Sequence, residues 1–102
     1  MMTDSTVHRR TFRVELKDGL HLRPFSMISK CASEFVCDIK LIIQDRSLDA
    51  KSLLELMTMG ADAGAFGTEM TLEASGTDSR EAVEAIGMLF DSGFPFDEPS
   101  AN

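Results

Sequence analysis

The chain predicts an α+β domain in which three helices cover one face of a four-stranded, mainly antiparallel sheet. Three observations carry that expectation. Apolar residues alternate along some segments and recur at helical spacing along others, which separates strands from helices. The segments fall in the order β-α-β-β-α-β-α, which suits a sheet with helices on one side. The chain has 102 residues, enough for one core and too few for two.

Arg9 to Leu16 is the first strand, with Phe12, Val14 and Leu16 on one face and Arg13 and Glu15 on the other. Lys17-Asp18-Gly19 ends it in a turn. From Leu22 the period becomes helical, with Phe25, Ile28 and Ala32 in register and Cys31 beside them. Pro24 falls in the first turn of that helix, where the proline nitrogen sacrifices no intrahelical donor. Val36 to Ile43 is β-branched and aliphatic, a second strand, and Arg46 to Ala50 a weaker third. Between them Gln44-Asp45 lacks the glycine a two-residue hairpin prefers, so one of the pair is expected at positive φ.

Ser52 and Glu55 form a capping-box signature ahead of Leu53, Leu54, Leu56, Met57 and Met59, which predicts a short helix from Ser52 to Met59. Such a helix cannot bury all its apolar side chains, so Leu53, Leu54 and Met57 are candidates for an exposed docking patch. Ala61 to Phe66 is a loop. Thr68 to Ala74 alternates again as a fourth strand. Asp78 and Glu81 repeat the capping-box spacing before Ala82, Val83, Ile86, Leu89 and Phe90, and Gly93 is placed to end that helix. Residues 1–8 are expected to be a polar leader containing a solvated His8, 9–93 the domain, and 94–102 a flexible acidic tail.

Asp and Glu outnumber Lys and Arg by 17 to 10, for a net charge of −7. That balance disfavours nucleic acid or an anionic membrane as the main partner. The polar amino terminus lacks the apolar core of a secretory signal, and no apolar run is long enough to span a bilayer, so the expected compartment is the cytoplasm. Cys31 and Cys37 are expected to be reduced and buried there. They share no metal-ligand spacing with the histidines, and no metal or other cofactor is expected.

The chemistry concentrates at Gly19-Leu20-His21-Leu22-Arg23-Pro24. A histidine at a helix start sits among backbone N–H groups that the helix itself cannot satisfy, at the positive end of its dipole. Such a place favours an anion, and the Arg23 guanidinium adds a fork that matches phosphate. Histidine is the side chain whose neutral, nucleophilic form is well populated near neutral pH. Together these groups suit a transient phosphohistidine, with His21 as acceptor and Arg23 steadying the charge. The plain alternative is a histidine that only caps its own helix.

The segment Gly19-Leu20-His21-Leu22-Arg23-Pro24 resembles the active-site signature of the HPr family, the histidine-containing phosphocarriers of the bacterial phosphoenolpyruvate-dependent sugar phosphotransferase system. Ala50-Lys51-Ser52-Leu53-Leu54 is similar to that family's regulatory-serine segment, and the likeness resumes from Gly67-Thr68 through Ala74 and in the last helix. The resemblance implies an open-faced β-sandwich and a monomeric carrier that is not itself an enzyme. It implies that His21 takes phosphate at Nδ1 from enzyme I and passes it to IIA domains of sugar transporters. It also implies that Ser52 is a target of an HPr kinase, and that the short helix meets both partners. A regulatory binding protein controlled by His or Ser phosphorylation, feeding no transporter, is the alternative function. Phe25 replaces the family's usual alanine, Gln44-Asp45 replaces Asn-Gly, and the Ala61 to Phe66 loop is longer; at Phe25 either access to the ring or the choice of partner is expected to differ.

Overall fold

The computed structural model describes residues 6–17, 19–59 and 65–95. Asp18 of the first turn, most of the Ala61 to Phe66 loop and nearly all of the predicted tail lie outside the described residues. The elements are β1 (Val7–Arg13), α1 (Leu22–Ala32), β2 (Asp38–Ile43), β3 (Arg46–Asp49), α2 (Leu53–Met57), β4 (Glu69–Ser75) and α3 (Ser79–Asp91). The four strands form one antiparallel sheet in the order β1-β4-β2-β3, so the last strand in sequence lies between the first two.

Register explains the layering. Phe12 pairs with Met70, Ile39 with Ala74, and Leu41 with both Leu72 and Leu48. All of these side chains are buried, because alternate residues of a strand point to one face. The helices cover that face: Phe25, Ile28 and Ala32 from α1, Leu56 from α2, and Ala82, Val83 and Ile86 from α3. The other face is polar. Arg9 pairs with Glu73 at 2.7 Å and Arg13 with Glu69 at 3.4 Å, and Thr11 meets Thr71 at 3.1 Å. Exposed pairs of this kind contribute about 0–1 kcal/mol each, so the buried face decides the register.

Three local expectations change. β1 begins at Val7, which brings His8 into the sheet opposite Ala74, where its Nδ1 lies 2.8 Å from the buried Ser79 hydroxyl. His8 is therefore half-buried and hydrogen-bonded, not a solvated leader residue. Asp78 occupies the N-cap of α3 but makes no side-chain cap bond. Its carboxylate instead accepts from the backbone N–H groups of Val36 and Cys37, both at 2.9 Å, and so pins the turn between α1 and β2. Phe94, assigned from the sequence to the tail, is only 3% exposed.

Phe94 is held by the way α3 ends. The Gly93 N–H donates to Phe90 and the Phe94 N–H to Leu89, a Schellman pair in which Gly93 takes φ 76°. The Phe94 ring then meets Phe90 edge-on at 4.9 Å, and Phe90 stacks on Phe12 at 4.3 Å. At the β2–β3 hairpin Gln44 takes φ 55°, the cost of a turn without glycine.

Candidate functional site

The site starts from a change of direction after β1. Gly19, at φ 75°, and the buried Leu20 turn the chain inward. His21 then stands at the N-cap of α1 in an extended conformation (φ −147°, ψ −161°), and its carbonyl accepts the first helical bond, from the Phe25 N–H at 2.9 Å. The ring is exposed, and its side chain makes no cap hydrogen bond. The capping alternative for His21 is thereby removed.

Leu22 and Arg23 supply N–H groups in the first turn that lack an intrahelical acceptor, while Pro24 supplies none. Arg23 is exposed, and its Nη1 lies 3.5 Å from the Phe94 carbonyl and 3.8 Å from the Met27 sulfur. A cleft of about 250 Å³ opens here, lined by Lys17, Gly19, His21, Arg23, Pro24 and Phe94 among others. Two cations, a ring nitrogen and a helix start around one open cleft make a place that favours an anion. Phe25 does not crowd it. The side chain is 5% exposed and belongs to the core, so the substitution for alanine leaves the ring accessible.

Ser52 caps α2: its hydroxyl accepts from the Glu55 N–H at 3.1 Å. The reciprocal arm of the expected capping box goes elsewhere, because the Glu55 carboxylate accepts from the Asp49 N–H at 3.2 Å. On α2, Leu54 is 80% exposed and Met57 49%, whereas Leu53 is half-buried against the core and Leu56 is buried, as is Met59 just beyond the helix. The expected patch therefore narrows to Leu54 and Met57, with Leu53 at its edge. α2 packs on α1, the Ser29 hydroxyl donates to the Lys51 carbonyl at 3.1 Å, and the Lys51 amine donates to the Phe35 carbonyl at 2.7 Å.

Both thiols are free. Burial, helped by the neighbouring Asp78, pushes Cys37 up to about 11, and burial beside Glu34 also raises Cys31, so neither is poised as a nucleophile. Among the described residues no helix is long and apolar enough to cross a membrane.

Phe94 is the site residue that pattern reading passed over. Its signal was present: an aromatic directly after a C-terminal glycine, five residues beyond Leu89, stands where the hydrophobic contact of a Schellman ending falls.

Comparison with known proteins adds the identity of the architecture. A family model described as the PTS HPr component phosphorylation site matches residues 8–92. The chain is 39% identical over 70 residues to the phosphocarrier protein HPr of Mycoplasma capricolum, covering 69% of this chain and 75% of that protein. It is 34% identical over 85 residues to the phosphocarrier protein HPr of Vibrio cholerae, covering 83% and 96%. The crystal structure of an HPr from Thermoanaerobacter tengcongensis superposes with a TM-score of 0.79 at 28% identity, covering 89% of this chain and 99% of that one. A four-stranded open sandwich with an exposed histidine at the start of its first helix, matched in sequence along most of its length, belongs to the HPr family of phosphotransferase-system phosphocarriers.

Proposed function

We propose that His21 is the phosphoryl acceptor of this phosphocarrier, loaded by phospho-enzyme I and discharged to the IIA domains of sugar transporters. One observation carries the reading: an exposed imidazole at the N-cap of α1 whose ring is not engaged in capping. In the loading step a ring nitrogen lone pair forms a P–N bond as the bond from phosphorus to the donor breaks; in discharge the same exchange runs to the next acceptor. The nitrogen that attacks, Nδ1 by the family likeness, must be unprotonated, and the other ring nitrogen keeps its proton. The helix start and Arg23 offset the charge on the phosphoryl oxygens, so the carrier lends position and electrostatics while its partners supply the rest.

In this reading Ser52 is the regulatory position, open to an HPr kinase. A phosphate on its hydroxyl would place about two negative charges at the start of α2. Leu54 and Met57, flanked by Leu53, are the docking surface for enzyme I and the IIA domains. The carrier acts in the cytoplasm as a monomer.

Incubation with enzyme I and labelled phosphoenolpyruvate tests the acceptor. The expected product carries an acid-labile, base-stable label that is absent from His21→Ala. Absence of label on the wild-type chain, or its persistence in His21→Ala, contradicts the assignment. A wild-type chain that loads but never discharges to any IIA domain points to the purely regulatory alternative.

A further inference from the structure

We infer that Phe94 is a positioning residue for Arg23, held in place by an aromatic stack that runs out of the sheet. The inference rests on the reading of His21 as acceptor and extends it to a residue beyond the last helix.

The stack begins in β1. The Arg10 guanidinium lies 4.6 Å from the centre of the Phe12 ring and donates to Asp91 at 2.6 Å. A Cβ built on Gly87 would lie 2.7 Å from Arg10 Nη1, so the tip of the Arg10 side chain lies close against α3 where Gly87 has no side chain. Phe12 stacks on Phe90, and Phe90 meets Phe94 edge-on. Phe94 is buried and takes φ 52°, a conformation in which a non-glycine residue is uncommon. Two backbone bonds of the Schellman ending and the ring contact together hold it there. The consequence is the direction of its carbonyl, which faces Arg23 Nη1 at 3.5 Å across the His21 cleft.

An exposed arginine has many rotamers, and ordering it only when phosphate arrives wastes binding free energy. The Phe94 carbonyl, with the Met27 sulfur on the same nitrogen, biases the guanidinium toward the cleft before the phosphoryl group enters. Phe94 acts through Arg23 and touches no reacting atom.

Three variants separate positioning from simple packing: Phe94→Leu, which keeps apolar bulk but loses the ring contact, Phe94→Gly, which suits the positive φ but frees the backbone, and Arg23→Ala. Single-turnover transfer from phospho-enzyme I is expected to slow about 3-fold in Phe94→Leu and about 10-fold in Phe94→Gly, sizes typical of coupled neighbours. Neither change should slow transfer further in an Arg23→Ala background, although both should still lower Tm there. In the unphosphorylated protein, ¹⁵N relaxation of the Arg23 Nε–H should show loss of order in Phe94→Leu while the α1 backbone is unaffected. Unchanged or faster transfer, effects that multiply with Arg23→Ala, or unaltered Arg23 order overturn the inference. The relaxation measurement needs no phosphoryl donor, so it decides on Phe94 even where the loading assay contradicts the role of His21.

Discussion

One carboxylate shows how far a single residue reaches in this fold. Asp78 stands where a helix cap is expected, yet both its oxygens accept backbone N–H groups from another part of the chain, Val36 and Cys37. The bond from the Val36 N–H, with Cys37 adding to it, holds the Asp78 carboxyl below the usual carboxylate range. A carboxylate that resists protonation only when folded stabilises the protein above its unfolded-state pKa. That stabilisation is lost as pH falls through the lowered folded value. Thermal melts from neutral pH down through the carboxylate range should therefore show a steady fall in Tm. Asp78→Asn should begin with a lower Tm at neutral pH and lose less on acidification, and a variant that keeps the full acid dependence would assign it to other groups. The spacing from Asp78 to Glu81 could not reveal this role, because local pattern records only what a residue offers its own helix. The partner lies 41 or 42 residues away in sequence.

At the scale of elements, agreement was best where periodicity carried the information. The strand faces through Phe12, Leu41 and Leu72 and the helix faces through Ile28 and Ile86 were legible because burial repeats with the geometry of the element. The positive φ of Gln44 was legible because turn chemistry is local. Boundaries were less so: β1 starts two residues early because β4 offers partners as far as Ser75, a pairing the first strand's own sequence does not show. The short helix α2 tests the cap and the regulation separately. Ser52→Ala removes the acceptor for the Glu55 N–H and should cost about 1 kcal/mol in denaturant unfolding. Ser52→Asp keeps a good capping side chain and should hold stability within about 0.5 kcal/mol of wild type, while slowing turnover by enzyme I if a charge at this position controls docking. Wild-type kinetics in Ser52→Asp would leave the serine as a cap alone.

Across the whole molecule, the sheet and its helical layer serve to hold one small exposed arrangement steady. The sequence places His21, Arg23 and Pro24 within one turn, so that half of the site could be read directly. The other half comes from tertiary structure: Lys17 and Gly19 border the cleft from the turn that follows β1, and Phe94 closes it from beyond α3, 71 residues from Arg23. No motif within either segment announces that meeting. It follows from α1 and α3 packing side by side on the same sheet face. The chain is acidic overall, yet Lys17 and Arg23 make the rim of this cleft locally basic, which suits an anion.

The most direct test of that arrangement is NMR of protein with ¹⁵N-labelled imidazoles, followed through loading by enzyme I with phosphoenolpyruvate and then addition of a IIA domain. A ³¹P–¹⁵N coupling should appear on one ring nitrogen of His21 and vanish when the acceptor is added. A coupling on His8, or a His21 ring unchanged while phosphate is consumed through the chain, would contradict it.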